Sequence, residues 1–539
     1  TIERHSHLPH SGAQISFSGS LIENINDLAA AGIGYGRNWM DYYRKARSWR
    51  TSLGNPRLDL VGFGYHHPLM PLCGYVDTRK QIQRHRKILL DTFGGSYSKG
   101  IFPPENAFSE RIIPALVDEG FEWVFVDNIH FDRANEDYPW TPGQIIAPPN
   151  RASARNDPQN HYEALTCQQN TVNMVSTGFA FRPHWCQYVD PETGKALTPE
   201  GNPAKMIVVP TERSIGYDDS YGDRSPIPRI KQVEAYNDDP EHPFLIVLAH
   251  DGDNAGASGS RYYLETCNWV SKNPERYELI TIEDYLQKFP PDEDDLIHVE
   301  DGSWTGADLG DQEFKKWNGD PYSHGQVDHE NGYSPDRNSW AAIVAAKNRV
   351  LTAESLAPAS QALDRAWHEF LVGTTSCYWY WDGTFEWDQK PSLASNNATA
   401  IADEIIGSLG GADGAGGRAS RGASRGASRG ASGGTSSGAS GGVDEAVDEV
   451  APSIYIPQRE PYNPGGKETR KPKPEGPRDP WRSSYPRERI ESERSSSDFM
   501  VWTLAYDVSG LASIDLKYRI DDDLRVDREN MIYDGGHWK

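Results

Sequence analysis

Between residue 1 and about residue 290, short apolar runs alternate with stretches in which apolar positions recur at helical spacing. Gln14–Gly19 reads as a strand feeding the helix Leu21–Ala31, and Leu58–Phe63 as a strand entering a loop. Arg79–Thr92 has helical spacing, and the helix Arg111–Glu119 precedes the strand Trp123–Val126. Met206–Val209 and Phe244–Leu248 are continuous apolar runs, the pattern of strands buried on both faces. Strand–helix alternation over this length predicts a parallel α/β sheet, most simply a barrel.

After about residue 290 the pattern changes. Ser339–Leu356, Ala359–Val372 and Pro391–Ile406 have helical periodicity and predict a helical domain over 291–408, packed on the barrel. Residues 409–442 are nearly all Gly, Ala, Ser and Arg, with a Ser-Arg-Gly-Ala repeat. Such a stretch cannot bury a core and is expected to act as a spacer, so a linker is placed at 409–450. From residue 451 to 539, a Pro-, Arg- and Lys-rich stretch leads to alternating segments at Phe499–Val508 and Ser513–Ile520. These predict part of a C-terminal β-sandwich-like domain.

Charge and composition narrow the partners. Lys and Arg total 54 against 78 Asp and Glu, a formal charge of −24. This argues against nucleic acid and anionic membranes, which select basic surfaces. An acidic chain with 16 Trp and 26 Tyr suits a neutral ligand that stacks on aromatic faces, such as carbohydrate. The five cysteines, Cys73, Cys167, Cys186, Cys267 and Cys377, are scattered without a CxxC pair, so neither a zinc knuckle nor a disulfide framework is indicated. No apolar run reaches the ~18 residues that span a bilayer.

Three acidic positions follow predicted strands, where a parallel barrel presents its active site. Glu105 stands in Ile101-Phe-Pro-Pro-Glu105-Asn-Ala-Phe108, on a rigid turn among apolar residues. Asp127 opens Asp127-Asn-Ile-His130 after Trp123–Val126. Asp251 lies in His250-Asp251-Gly-Asp253-Asn254 after Phe244–Ala249. Capping a helix or turn is the plain alternative for Glu105 and Asp127. The Asp251/Asp253 spacing with its histidine suggests a cation, but the remaining ligands of a calcium loop are missing. Tyr65-His66-His67-Pro68 adds two adjacent imidazoles, which point in different directions unless a loop turns them together. Glu105 and Asp251 form a plausible carboxylate pair, the minimum that glycoside hydrolysis requires.

Ile101–Phe108 and Val124–Phe131 resemble motifs of glycoside hydrolase family 57, retaining enzymes active on α-glucans. The resemblance implies that Glu105 is the nucleophile. It also implies that Asp127, His130 and Phe131 meet the pattern ending the next strand, and that Asp251 in Asp251-Gly-Asp253 is the general acid/base. Asp253 stands where the family more often has Glu. Leu58–Pro68 is similar to the second motif, with Asp59 at a position often held by Glu. Thr375–Trp381 resembles the fifth, with Cys377 where Asp is common. The His-Gln-Pro of the first motif is not found, so the first strand of an incomplete (β/α)7 TIM-like barrel is expected upstream of Thr1, and the chain is expected to be a fragment. The barrel would occupy 1–290.

The resemblance thus implies a retaining hydrolase or transglycosylase of starch, glycogen or maltooligosaccharides. Asp59, His66, His67, Asp127, His130, Trp185, Asp253 and Trp379 are the expected substrate-binding residues, and neither a cofactor nor a metal is expected. Two alternatives stay open: a non-catalytic carbohydrate-binding protein on the same scaffold, and a metal-dependent deacetylase- or α-mannosidase-like enzyme using His130, His250 and Asp251.

Overall fold

The computed structural model describes residues 2–132, 178–212, 224–252, 261–304, 314–319, 331–380, 385–410, 449–460 and 500–518, with several shorter stretches. Strand β1 (Ala13–Ile15) pairs in parallel with β2 (Leu58–Leu60). A parallel bridge between Gly62 and Ile101 carries the run on to β3 (Gly100–Ile101). Next come β4 (Trp123–Asp127) and β6 (Lys205–Thr211), again in parallel. All five residues of β4 are buried, as its unbroken apolar pattern requires.

The chain is therefore α/β, with amphipathic helices between its parallel strands. Helix Gly19–Ala31 starts at an N-cap in which the Ser18 hydroxyl accepts from the Leu21 amide, and it stops at Gly32 with φ 71°. Helix Tyr75–Phe93 buries Ile82, His85 and Leu89, one face at helical spacing.

Two features depart from simple alternation. Strand β5 (His184–Gln187) pairs antiparallel with β6, and β7 (Leu296–Ile297) pairs with β5, so the five-stranded sheet is mixed, in the order β3-β4-β6-β5-β7. The expected strand Phe244–Leu248 joins no ladder among the described residues. It runs beside β6 with the Glu212 amide donating to the Val247 carbonyl at 2.8 Å. Its apolar residues alternate between two clusters: Leu245 and Val247 lie with Trp123 and Val209, and Phe244, Ile246 and Leu248 with Phe181 and Ile215. Burial on both sides explains its composition without a full set of strand bonds.

Helices Pro335–Leu356, Gln361–Gly373 and Lys390–Gly410 form the second layer, near the expected boundaries. Their core holds Trp340, Trp367, Phe370 and Trp379. Tyr455, Trp502 and Leu504 belong to the same core. Short strands at Ser453–Ile454 and Gln458–Glu460 pair with Ala505–Tyr506 and Met500–Trp502. The Tyr455 hydroxyl donates to Asn318 at 2.5 Å, and Arg337 lies 4.1 Å over the Trp502 ring. These C-terminal segments are thus fastened to the helical layer. Most of the expected spacer, residues 411–448, lies outside the described residues.

Candidate active site

Glu105 sits just beyond the end of β3, on the turn Pro104–Asn106. Pro103 and Pro104 restrict the backbone ahead of it, and Glu105 itself takes φ 61° and ψ 14°. Asn106 follows at φ 47°, and His67, after β2, has φ 59°. Non-glycine residues in the left-handed region cost of order 1–3 kcal/mol each and collect at functional sites. Three of them meet here. Asn106 anchors the turn through its side-chain amide, 2.7 Å from the Thr211 hydroxyl at the end of β6.

The Glu105 carboxylate is 7 % exposed and both its oxygens accept hydrogen bonds. The Trp304 indole N–H donates to Oε2 at 3.1 Å, and the Ser376 hydroxyl donates to Oε1 at 3.0 Å. The Ser376 hydroxyl also lies 2.9 Å from His67 Nδ1, which is 3.9 Å from Glu105 Oε1. Desolvation pushes the His67 pKa down, outweighing the upward pull of Glu105.

Backbone bonds place these partners. The Ser376 amide donates to the His67 carbonyl at 2.9 Å, and Pro68 bridges to Thr375. Phe108 and Gly302 exchange backbone bonds at 2.8 and 3.0 Å, and the Trp304 amide donates to the Glu105 carbonyl at 3.0 Å. His130, fully buried beyond β4, has Nε2 3.1 Å from the Ser303 carbonyl. Gly302 is required there, because a Cβ would lie 2.1 Å from the His130 ring.

Cys377 completes the cluster. Burial first, then the Glu105 charge, pushes its thiol up to about 11, and the Asp251 charge adds to the rise. Asp251 is exposed, and its carbonyl lies 3.0 Å from His250 Nδ1. Asp127 is 2 % exposed at the end of β4, in register with Thr211. Asp253 lies outside the described residues.

Several expected substrate contacts have other surroundings. His66 turns away from His67, as adjacent side chains tend to. Its ring meets His368 edge-on at 5.0 Å, and burial pushes its pKa down to about 3. Trp379 is 1 % exposed and stacks on Trp340 at 4.4 Å, an indole inside a core rather than a surface for sugar. Trp185 is opposite Ile207, level with Trp123 at the start of β4, and Lys205 covers its ring at 4.4 Å. It is thus at the end of the strands away from Asp127.

Asp59 is also remote from the strand-end cluster. Because Gly62 pairs with Ile101, Asp59 is level with Ser98, seven positions before Glu105. The Ser98 hydroxyl donates to its Oδ2 at 2.6 Å, and burial raises its pKa to about 6. A carboxyl that ionises near 3.8 when unfolded and near 6 when folded holds its proton longer in the fold. Stability then falls as pH rises between these values, by a total on the order of 3 kcal/mol. Asp59→Asn removes that loss. Its melting temperature relative to wild type is expected to climb from pH 4 to pH 7 and then level off. A difference that stays constant with pH contradicts the burial assignment.

Ser376, Trp304 and Glu212 were not predicted from sequence. Glu212 is 3 % exposed directly after β6, the same strand-end signal that marks Asp127. Ser376 lies inside the Thr375–Trp381 motif, whereas Trp304 carries no local signal.

A buried carboxylate on a strained turn beyond a parallel strand, held by donors from two other segments, makes a strand-end carboxylate site on an α/β fold. Residues 3–175 match the family model of glycosyl hydrolase family 57. Over that region the chain is similar to glycosyl hydrolase family 57 sequences. It is 26 % identical, over 97 % of its length, to an alpha-amylase of Niallia circulans, of which it covers 43 %. The chain thus spans less than half the length of that relative. Among solved structures, 4-alpha-glucanotransferase from Thermococcus litoralis matches with a TM-score of 0.47 and 16 % identity, over 75 % of this chain and 55 % of that one. A branching enzyme of family 57 from Thermococcus kodakaraensis gives 0.45 and 13 %, over 75 % and 83 %.

Proposed function

We propose that this chain is a retaining glycoside hydrolase or transglycosylase acting on α-glucans. The observation that carries this reading is Glu105: a buried carboxylate, oriented through both oxygens, on a strained turn at the end of β3. Orientation of this kind suits a nucleophile, whose attacking oxygen must meet the anomeric carbon in line. In this reading Glu105 forms a β-linked glycosyl intermediate, and Asp251 protonates the departing oxygen and then activates water or an acceptor hydroxyl. Exposure suits Asp251 to that second role, because the acceptor enters from solvent.

The same reading treats the strands as an incomplete (β/α)7 barrel over 1–290 and the helices of 291–408 as the layer completing the site. Ser376 and Cys377 support that division, since the helical part brings them to Glu105. His67, Asp127 and His130 border the cluster and are the proposed substrate-side residues, and an oligo- or polysaccharide is the proposed partner. Incubation of the wild-type protein with maltoheptaose tests the retaining assignment. Wild type is expected to produce shorter or redistributed maltooligosaccharides whose new reducing ends are first α in NMR spectra. New ends that are first β mean single inversion and contradict the intermediate.

A further inference from the structure

Cys377 brings a soft ligand to a carboxylate and an imidazole. His67, Glu105 and Cys377 each offer one ligand atom, and the three atoms lie within 4.8 Å of one another. Nδ1 of His67 is 3.9 Å from Oε1 of Glu105. A tetrahedral zinc site with bonds of ~2.0–2.3 Å has ligand–ligand edges of about 3.4–3.7 Å, so closure asks each side chain to move by less than about 1 Å. Thiolate with imidazole selects zinc-like cations over magnesium or calcium, which prefer all-oxygen shells.

We propose that His67, Glu105 and Cys377 bind a zinc-like divalent cation that reversibly blocks the site. The inhibitory consequence rests on the reading of Glu105 as nucleophile; the binding site itself does not. Two backbone ties hold the ligands in place before any cation arrives: Ser376 N–H on the His67 carbonyl, and Trp304 N–H on the Glu105 carbonyl. The Trp304 indole supports the second carboxylate oxygen, as outer partners of metal ligands do. Binding displaces the Ser376 bridge between His67 and Glu105. With the Ser376 hydroxyl donating to Glu105, Nδ1 of His67 is the donor in that bridge, so ligation through Nδ1 requires the imidazole proton to move through solvent to Nε2. The thiol gives up its proton to the metal, so affinity rises with pH. Three protein ligands leave the fourth position to water. With its lone pair on the cation, Glu105 no longer attacks sugar.

Cobalt titration of the metal-free full chain tests this, with zinc competition and activity measured on the same samples. One equivalent of Co²⁺ is expected to produce a thiolate-to-cobalt charge-transfer band that Zn²⁺ removes, while Zn²⁺ suppresses hydrolysis and a chelator restores it. Cys377→Ser and His67→Ala, each checked for wild-type melting, are expected to lose the band and to weaken zinc binding by about tenfold or more. No band, or a band that survives Cys377→Ser, overturns the site. Stoichiometric binding with the band but with hydrolysis unaffected supports the site and overturns instead the role given to Glu105.

Discussion

Glu105→Ala is expected to lower turnover of maltooligosaccharides by roughly 10³-fold or more, because both chemical steps pass through the group it removes. The substitution leaves the Trp304 N–H and the Ser376 O–H facing a small void, and azide can fill it. Azide then attacks the anomeric carbon directly. One displacement on an α-linked substrate inverts the centre, so the product is the β-glycosyl azide. Alanine keeps a side chain at φ 61°, so the turn carries the same backbone cost as before. Glu105→Gln provides the check that shape is not the cause. It retains the size of the side chain and an acceptor, yet it is expected to be as inactive as alanine. Activity of Glu105→Gln near wild type would assign Glu105 to structure alone.

Asp251→Ala is expected to separate the two steps. Poor leaving groups such as a second glucose need a proton, so hydrolysis of maltooligosaccharides falls by about 10²–10⁴-fold, the usual contribution of general acid–base catalysis. An aryl glycoside with an acidic phenol leaves without help, and its first step is expected to persist with release of one equivalent of phenol. The intermediate then waits, because nothing activates water. Azide accelerates turnover and, after two displacements, gives the α-glycosyl azide. The two variants therefore yield opposite anomers from one substrate. Unchanged maltooligosaccharide activity in Asp251→Ala would move the acid/base role to another carboxylate, and Asp127 and Glu212 are the buried groups at the neighbouring strand ends.

Local patterns made much of the scaffold legible. Trp123–Val126 announced β4 through its unbroken apolar run, and the periodicity in Arg79–Thr92 and Ser339–Leu356 located helices to within a few residues. Pairing was less legible. Nothing in His184–Gln187 says that it runs antiparallel to β6, since strand direction depends on the connection rather than on the residues. Phe244–Leu248 has a strand's composition because two apolar clusters flank it, and composition does not report ladder bonds.

The site divides in the same way. Glu105 stood out through Pro103 and Pro104, which mark a turn, although its positive φ is a property of the closed structure. Its partners lie 199 and 271 positions away in the chain, beyond the reach of any local pattern. Aromatic residues were the least informative. Trp379 packs on Trp340, and an indole in a core has the same sequence signature as one that stacks on sugar. His66 and His67 illustrate how one residue of offset turns a ring from Glu105 to His368.

The most direct test of the account is to identify the carboxylate that carries the sugar. Asp251→Ala treated with a 5-fluoro-maltosyl fluoride of α configuration should accumulate the glycosyl-enzyme, because its second step lacks a base. Proteolysis and mass spectrometry are expected to place the added mass on the peptide containing Ile101–Phe108, with fragmentation locating it at Glu105. An adduct on Asp127, Glu212 or any other residue, or a trapped species with Glu105 unmodified, would contradict the assignment of the nucleophile.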